Sequence, residues 1–345
     1  MFTVTVGADV VTVGGRPTGT GFTPWELAHA GLLVNPVSAS PATEFTFLPG
    51  TFQFRDFTTA NDGMLWFTGV LGLRGSGRND TVFEMVPMSS TKASLVPAQT
   101  ATPQGLTNPL QLMRVSNGNV WHGSGFTLHG TPQGHLYNGL NFYTCAAGTL
   151  LEDFRITGIP GASGFEPGET FSIGVYRGAG LTIRNGEIDG RDDTGATVAA
   201  SLIGANFLNG GTFDNLNLHH SNLAAAITAY HCDGPLTYTN LNVHDMNHVA
   251  LNFEGNGQAA PCQITIRNCT LKGGPTFVPM ILDAINTGSS NVYNIYDPIY
   301  DGAMFRVTIH NTAGQRQRAA DVHLWENGVD VSATKLQVLA NNPWE

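Results

Sequence analysis

The feature that most constrains the fold is a short pattern that recurs through the middle and C-terminal half of the chain. Six segments, SGFTLHG, EDFRITG, RNGEIDG, DNLNLHH, TNLNVHD and RNCTLKG, align when one polar residue of each is placed in a common column: Ser124, Asp153, Asn185, Asn215, Asn240 and Asn268. Successive members of this column are 29, 32, 30, 25 and 28 residues apart. Self-similarity at such a period is typical of a solenoid in which each repeat forms one coil.

Each segment has the order strand, corner, strand. Asparagine suits the corner because it tolerates left-handed backbone dihedrals, and because its amide can bond the backbone and the asparagine one coil away. Three residues beyond the later asparagines comes an apolar residue that we expect in one buried stack: Ile188, Leu218, Val243 and Leu271. An ordinary β-sandwich with accidental matches is the alternative, but it does not explain five similar intervals.

A second series of strand-like segments precedes the corners, at 173–178, 203–210, 227–234 and 251–257. Each coil therefore contains three strand segments. The chain is 41% hydrophobic and only 12% charged, with 42 glycines, which suits short strands and turns better than surface helices. We predict an all-β fold, a right-handed single-stranded parallel β-helix over residues 23–310.

The two ends of the chain differ from the repeats. The VTV and VVTV runs predict an N-terminal arm or hairpin over residues 1–22. The sequence TPWELAHAG carries a capping box and a terminal glycine, which predicts a short helix at about 24–30 that caps the first coil. In the last segment, 311–345, VHLWENGVDV has an Asn-Gly hairpin signal, and we expect a cap or an assembly segment there.

Charge and composition exclude several classes of partner. The chain has 16 basic and 26 acidic residues and no basic run that could neutralise a row of phosphates, so nucleic acid is not expected. It has no apolar run of membrane-span length, and its N-terminus lacks the basic and apolar parts of a signal peptide, so we expect a soluble protein that is not exported. Four cysteines without a CxxC pair favour free buried thiols. No cofactor or metal is expected.

The coil alignment also predicts which outward residues are neighbours, because equivalent residues of adjacent coils lie about 4.8 Å apart. One outward column follows the second strand series: Tyr176, Asn206, Tyr230 and Glu254, with Arg177, His231 and Asp283 beside or beyond it. Aromatic rings with amides and carboxylates are typical of glycan binding, although tyrosine is also common in β-surface packing. We expect the ligand on this column. Glu254 and Asp283 are also candidates for an acid pair in glycan cleavage.

Another outward column lies four places beyond the corner. It contains Asp189, His219, His244 and Lys272, flanked by His220 and Asp245. Acid, imidazole and ammonium groups on one face can transfer protons, capture a metal or recognise an acidic sugar, but they are equally typical of a solvated polar strand. This column is the second candidate face.

Two further groups of polar residues are close in sequence. Asp189, Asp192 and Asp193 form the densest acidic group and are weak catalytic candidates, although GRDDTG also describes a solvated turn. The histidines in WHGSGFTLHGTPQGH, at 122, 129 and 135, lack the regular spacing of a zinc site, so we expect strand alternation to separate them.

With these coils, the chain resembles the pectate-lyase-like superfamily of right-handed parallel β-helices, and especially phage tailspikes and related tail appendages. The asparagine corners carry most of the resemblance, which extends over about 23–310, and FTFLPGTFQF and GLRGSGRNDTVF look like the first coils of many members. GRDD at 190–193 is similar to the paired aspartates of polygalacturonases. Their other motifs are missing, so no catalytic residue is carried over.

The resemblance implies a virion component, a phage tail appendage or minor tail protein that contacts host surface polysaccharide. It also implies contacts with other tail proteins, assembly as a homotrimer, and synthesis in the host cytoplasm without a signal peptide. One alternative is a polysaccharide lyase or glycoside hydrolase on the same fold. Another is a purely structural tail or baseplate component. The fold by itself does not decide among them.

Overall fold

A computed structural model describes most of the chain. The described residues are 2–6, 10–13, 16–20, 43–54, 65–68, 70–85, 111–116, 120–130, 138–159, 171–199, 201–221, 225–257, 261–283, 291–310 and 321–339. Within these ranges the regular structure is almost entirely β-strand. No helix in this part of the chain has the length and apolar character that a membrane span needs.

Three short strands open the chain: β1 (Phe2–Val6), β2 (Val10–Val13) and β3 (Arg16–Thr20). The strands β1 and β2 pair antiparallel, as do β2 and β3, so the opening residues form a meander. In addition, β1 pairs in parallel with β4 (Thr43–Phe47), which joins the meander to the first coil. The capping helix expected at about 24–30 lies outside the described residues.

The chain then winds into coils of short strands. Their bounds are β5 (Gly50–Phe54), β6 (Leu65–Thr68), β7 (Val70–Arg74), β8 (Thr81–Met85), β9 (Gln111–Ser116), β10 (His122–His129), β11 (Asn138–Cys145), β12 (Leu150–Thr157), β13 (Phe171–Asp189), β14 (Ser201–His219), β15 (Ala225–Tyr230), β16 (Asp233–Thr239), β17 (Asn242–Met246), β18 (Val249–Glu254), β19 (Gln263–Arg267), β20 (Thr270–Gly273), β21 (Val278–Asp283), β22 (Val292–Tyr296), β23 (Ile299–Tyr300) and β24 (Phe305–His310). The last elements are β25 (Val322–Glu326), β26 (Val329–Asp330), a helix α1 (Ser332–Lys335) and β27 (Leu336–Leu339).

Three parallel ladders connect these coils. Ladder A joins β6, β9, β11, the first parts of β13 and β14, β15, β18, β21, β24 and β27. Ladder B joins β4, β7, the first parts of β10 and β12, the middle of β13 and β14, β16, β19, β22 and β25. Ladder C joins β5, β8, the last parts of β10, β12, β13 and β14, β17, β20 and β23. Every link is parallel, so the predicted parallel β-solenoid is confirmed.

Between ladders B and C the chain turns at a residue with positive φ. These residues are Gly125 (71°), Asp153 (47°), Asn185 (54°), Asn215 (50°), Asn240 (54°), Asn268 (53°) and Asp297 (49°), and we call them the corner column. The left-handed region is open to glycine and tolerated by asparagine and aspartate. Ser124 was predicted here, but that alignment is wrong by one residue, because Ser124 pairs with Glu152 and the adjacent glycine takes the corner.

The corner amides bond across coils in two ways. The Asn215 side chain donates from Nδ2 to Oδ1 of Asn185, one coil away, at 2.9 Å, as the sequence led us to expect. The Asn240 amide instead donates to Oδ1 of Asp214, also at 2.9 Å. A carboxylate is the stronger acceptor, so it replaces the amide partner where one is within reach.

The interior of the solenoid is filled by stacked apolar side chains. On ladder C these are Phe83, Leu128, Ile156, Ile188, Leu218, Val243 and Leu271, which follow one another in register and are all 0% exposed. The buried stack predicted from the repeats is therefore confirmed. Since full burial of one such side chain is worth about 1.5–3 kcal/mol, each coil contributes to stability by covering its neighbour.

The C-terminal hairpin predicted from Asn-Gly is confirmed. Trp325 pairs antiparallel with Asp330 across a turn in which Asn327 and Gly328 have φ values of 50° and 77°. Since β25 pairs with β22 and β27 with β24, the parallel ladders extend beyond residue 310. The prediction of free thiols is also confirmed, because all four cysteines are buried and unpaired.

Candidate functional site

The first candidate site follows the outer edge of ladder A. The backbone register aligns one residue from each of six coils: Tyr143, Tyr176, Asn206, Tyr230, Glu254 and Asp283. Neighbours one position earlier, such as Val175 and Ala229, are buried in the core, so strand alternation turns the tyrosines outward. The structure thus brings together the residues that the coil alignment placed in one column, and Tyr143 lengthens it by one coil.

Immediately after this column the chain turns again. After Glu254 the turning residue is Gly255 (φ 58°), but on the four earlier coils it is Thr144 (59°), Arg177 (59°), Phe207 (55°) and His231 (51°). A bulky residue in the left-handed region is uncommon, and such strain persists only where the surroundings or a function impose it. At this corner it projects Phe207, His231 and Arg177 from the edge of the solenoid.

Rings from these two columns form a continuous line that we call the aromatic ridge: Tyr143, Tyr176, Phe207, Tyr230 and His231. The rings of Tyr143 and Tyr176 stack with centroids 5.2 Å apart. The Phe207 ring meets Tyr176 at 5.7 Å and Tyr230 at 6.0 Å, edge to face in both cases. Tyr230 in turn stacks on His231 at 3.9 Å. Tyr143 and Phe207 are 38% and 40% exposed, so the ridge presents apolar ring surface to solvent.

Polar groups border the aromatic ridge. The Arg177 guanidinium lies 5.3 Å from the centre of the Tyr176 ring. Beyond Tyr230, the Asn252 amide donates a hydrogen bond to the Glu254 carboxylate. Nε2 of His231 is buried and has no hydrogen-bond partner in the described part of the chain. Burial lowers the pKa of His231, which favours the neutral ring at neutral pH.

The second candidate site lies at the end of ladder C, where Asp189, His219 and His244 are in register. The chain then turns through His220 and Asp245, which have φ values of 59° and 52°. We call these five residues the histidine cluster. Asp189 and His219 are only 7% and 5% exposed, so this face is not simply a solvated polar strand.

Three side chains of the histidine cluster converge on one point. The Nδ1 atoms of His219 and His220 are 2.6 Å apart. Oδ1 of Asp189 lies 3.2 Å from Nδ1 of His220 and 3.6 Å from Nδ1 of His219. Together these three residues have the donor types and proximity to hold a metal ion. The His244 ring stacks on His219 at 4.8 Å, with 9° between the planes, and so braces the buried imidazole.

Arg191 keeps the carboxyl group of Asp189 ionised. Its Nε donates to Oδ1 at 3.0 Å and its Nη2 donates to Oδ2 at 2.8 Å. Burial opposes ionisation of Asp189, but the hydrogen bonds from Arg191 outweigh it and hold the pKa of the carboxyl below its ordinary value. Burial is also the main influence on His219, and it lowers the pKa of that imidazole despite the nearby Asp189. At neutral pH an ionised carboxylate therefore lies beside a neutral ring.

The remaining candidate acids and the lysine lie apart from this convergence. Asp192 accepts hydrogen bonds from the backbone N–H groups of Thr194 and Ala196, at 2.9 and 3.1 Å, and so serves as a turn residue. Asp193 lies 3.2 Å from Nε2 of His129. Lys272 follows the buried Leu271 as His244 follows Val243, and its ammonium lies 3.8 Å from Asp301 on the next coil.

Two of the histidines at 122, 129 and 135 lie in the described residues, and each contacts a group outside the histidine cluster. Nε2 of His122 lies 3.2 Å from the carbonyl oxygen of Gly148, while Nδ1 of His129 lies 2.7 Å from the hydroxyl of Thr157. The third histidine, at position 135, is outside the described residues. Neither of the two described rings therefore joins the histidine cluster.

Sequence reasoning missed four residues of these sites. Tyr143 had a usable signal, because NFYTC repeats the order of GVYRG one coil earlier. Phe207 had none, since an outward phenylalanine at a left-handed corner contradicts ordinary preferences. Arg191 and Glu187 border the histidine cluster. The contact of Arg191 with Asp189 depends on how the chain turns after the strand, and the contact of Glu187 with His219 depends on pairing with the next coil.

The fold defines the class of the protein, a parallel β-solenoid.

No protein-family model and no curated protein matches the chain. It is similar to the A-module of the mannuronan C-5 epimerase AlgE6 of Azotobacter vinelandii, with 13% identity, a TM-score of 0.39, and 92% of this chain and 90% of that chain covered. It is also similar to the catalytic domain of a GH87 α-1,3-glucanase in complex with nigerose, with 10% identity and a TM-score of 0.40. That match covers 86% of this chain and 63% of the glucanase chain, which is less than two thirds of it.

Proposed function

We propose that the protein binds an extended polysaccharide along the aromatic ridge. The observation that carries this proposal is the unbroken line of ring contacts on adjacent coils, from Tyr143 to His231. Aromatic faces pack against the apolar faces of sugar rings, while nearby amides, carboxylates and guanidinium groups bond sugar hydroxyls. A glycan lying along the solenoid contacts several coils at once, so individually weak contacts are reinforced by repetition.

The exposure of the ridge supports a ligand rather than a packing role. The core is already complete without these rings, since the inward neighbours Val175, Ala205 and Ala229 are buried. Phe207 leaves 40% of its surface in solvent while its backbone occupies the left-handed region. Contiguous exposed apolar surface bordered by polar groups marks binding sites on soluble proteins. A sugar surface supplies the missing apolar partner.

Retention on immobilised bacterial envelope polysaccharides tests the proposal. We expect a variant with Tyr176→Ala, Tyr230→Ala and Glu254→Ala to lose at least about tenfold in affinity, since each aromatic contact is worth roughly a kcal/mol. The matched control is Tyr296→Ala, which removes another stacked aromatic residue, on ladder B against Trp325. Retention that is unchanged in the triple variant, with all variants folded by circular dichroism, contradicts the proposal.

Cleavage of the same polysaccharide, by a lyase or a glycoside hydrolase reaction, is a second candidate function. The observation that favours it is the register of Glu254 with Asp283 on the next coil, which sets their backbones one strand spacing, about 4.8 Å, apart. Two carboxyl groups about 5–9.5 Å apart are the usual requirement for glycoside hydrolysis. New reducing or unsaturated ends in the incubated polysaccharide, lost in Glu254→Gln while retention persists, support cleavage. Retention without new ends supports binding alone.

The proposed place of action is the tail of a phage virion, where the ligand is host envelope polysaccharide and the neighbours are other tail proteins. This part of the proposal comes from the sequence resemblance, as does the homotrimer. Light scattering should give three times the chain mass, and mass spectrometry of purified virions should detect the chain. A monomeric mass in solution contradicts the homotrimer, and absence of the chain from virions contradicts the location in the tail. Presence in virions without glycan retention favours the purely structural tail or baseplate component.

A further inference from the structure

We infer that Asp189, His219 and His220 bind one divalent transition-metal ion, of the zinc class, through one carboxylate oxygen and two imidazole nitrogens. The inference concerns the histidine cluster at the end of ladder C and does not depend on glycan binding at the aromatic ridge. It goes against the overall sequence expectation of no metal, although metal capture was one of the roles open to this column. Asp189 lies on one coil and the two histidines on the next, so no regular ligand spacing along the chain is required.

The distances among the three donor atoms suit one ion. Zinc–nitrogen and zinc–oxygen bonds are about 2.0–2.2 Å long, so neighbouring ligand atoms lie roughly 2.8–3.1 Å apart around an octahedral ion and roughly 3.3–3.6 Å apart around a tetrahedral one. Oδ1 of Asp189 lies 3.2 Å and 3.6 Å from the Nδ1 atoms of His220 and His219. The two nitrogens are closer, at 2.6 Å, and a small outward rotation of either ring brings them to the same range. Zinc, iron and nickel favour a donor set of two imidazoles and one carboxylate, whereas calcium and magnesium favour oxygen ligands.

One of the two imidazoles has its second nitrogen on a carboxylate. Nε2 of His219 lies 3.4 Å from Oε1 of Glu187, within hydrogen-bond distance. In metal sites the ring nitrogen that does not bind the ion donates to such a carboxylate. This contact favours the His219 tautomer with a bare Nδ1, the nitrogen that faces Asp189 and His220. Nε2 of His220 lies 3.9 Å from Oδ2 of Asp245, which is too long for a hydrogen bond, and that oxygen lies 2.7 Å from Nδ1 of His244.

Arg191 is compatible with an ion on Asp189. Its Nη2 lies 2.8 Å from Oδ2, and its Nε lies 3.2 Å from Oδ2 as well as 3.0 Å from Oδ1. Oδ1 also accepts a hydrogen bond from the backbone N–H of Arg191 at 3.1 Å. With the guanidinium on Oδ2, Oδ1 has one lone pair for that N–H and one for the ion. Three protein ligands leave at least one coordination position for water or a small ligand. The His220 side chain is 22% exposed, which provides access to that position from solvent.

The competing explanation is a direct hydrogen bond between His219 and His220, in which one Nδ1 donates to the other. This bond needs only one ring protonated at Nδ1 and requires no ion. The two explanations differ in what Co²⁺ does, because cobalt reports its own coordination through visible absorption. They also differ in the effect of replacing Glu187, which touches neither Nδ1 atom.

The experiment uses the full chain without a polyhistidine tag, with Zn²⁺ and Co²⁺ as the probes. We expect one equivalent of Zn²⁺ by calorimetry, a rise in melting temperature that increases with Zn²⁺ concentration, and visible absorption bands with Co²⁺ that Zn²⁺ displaces. His220→Ala should abolish the cobalt bands and weaken zinc binding at least about tenfold. Glu187→Gln should keep the ligands but weaken binding about 10–100-fold, since it removes the group that orients Nε2. Ca²⁺ is expected to produce no stabilisation.

The matched control is His122→Ala, which removes a histidine outside the histidine cluster and should leave zinc binding unchanged. His220 is less buried than His219, so His220→Ala loses less packing than His219→Ala would, but alanine costs about 1–2 kcal/mol at its positive φ. Circular dichroism checks that the variant is folded. Failure of the parent chain to bind Zn²⁺ or Co²⁺ at millimolar concentration overturns the inference. So does zinc binding of equal strength in the His220→Ala variant, or stabilisation by Ca²⁺ without an effect of Zn²⁺.

Discussion

Tyr238 stacks on Phe213 inside the solenoid, with ring centroids 5.1 Å apart and only 5° between the ring planes. The two residues lie on adjacent coils of ladder B and are both 0% exposed. This stack carries the Tyr238 hydroxyl into the core, where it has no hydrogen-bond partner among the described residues. A buried hydroxyl left without a partner costs about 1–3 kcal/mol.

Tyr238→Phe should therefore raise the free energy of unfolding by about 1 kcal/mol, because it keeps the stack and removes the unsatisfied hydroxyl. Urea unfolding followed by circular dichroism measures the change. Tyr293→Phe is the matched control, since that buried hydroxyl bonds the Asn291 side chain and its loss should lower stability. A lower stability for Tyr238→Phe means that the hydroxyl has a partner after all.

Leu218→Ala should lower the free energy of unfolding by about 2–5 kcal/mol, through lost burial and the cavity left between Ile188 and Val243. The urea midpoint should fall without a change of slope. Thr212→Ala, at a half-buried outward position on ladder B, should change stability by no more than about 0.5 kcal/mol. Equal effects of the two substitutions are incompatible with the buried stack.

At a position of the corner column, glycine should destabilise the protein less than alanine does, which is the reverse of their order at an ordinary strand position. Asn215→Ala should cost more than Asn215→Gly, because alanine pays about 1–2 kcal/mol in the left-handed region and glycine does not. Both variants lose the hydrogen bond to Asn185, so the difference between them isolates the backbone effect. The difference is read from thermal or urea unfolding. At an ordinary strand position such as Asn242, in ladder C, alanine should be the better of the two.

Alkaline pH should destabilise the protein through its thiols. Burial raises the pKa of Cys145 and Cys269 to about 11 and that of Cys232 and Cys262 to about 12, against an ordinary value of 9.0. The unfolded chain releases these protons first, so their contribution to stability is fully present below about pH 9 and is lost as the pH rises through 11 and 12. Urea midpoints at pH 8 and above 9 measure the decline. A Cys232→Ala variant should decline less steeply, whereas identical profiles for the two chains rule out this cause.

Much of the fold followed from the spacing of polar corners. The stack of Ile188, Leu218 and Val243 was predictable because strand alternation and coil period leave one inward position after each asparagine. Ser124 was misplaced because the pattern sought a polar side chain, whereas the physical requirement is a positive φ, which Gly125 meets better. The three strands of the opening meander gave a hairpin signal, but parallel pairing of β1 with β4 depends on contacts distant in sequence.

The sites were less predictable than the fold. Coil alignment placed Tyr176 with Tyr230, because both occupy the same position in their strands. It could not identify Phe207, whose exposure follows from a backbone conformation that its residue type disfavours. Nor could it show that the rings of His219 and His220, consecutive in the chain, turn their Nδ1 atoms toward each other. Side-chain torsions decide that, and no sequence period encodes them.

Because every coil passes through the corner column at the same point, the chain can gain or lose one whole coil between two corner residues. A deletion whose ends both fall in that column, such as one that joins the chain at Asn215 to the chain after Asn240, removes one turn and leaves every remaining strand with a parallel neighbour. A deletion of an odd number of residues inside a strand instead shifts inward residues to the outside. Duplication of a coil by recombination adds one repeat to each outer face while the core contacts are copied. Solenoids of this kind can therefore match polymers of different length by gene rearrangement, without redesign of any side chain.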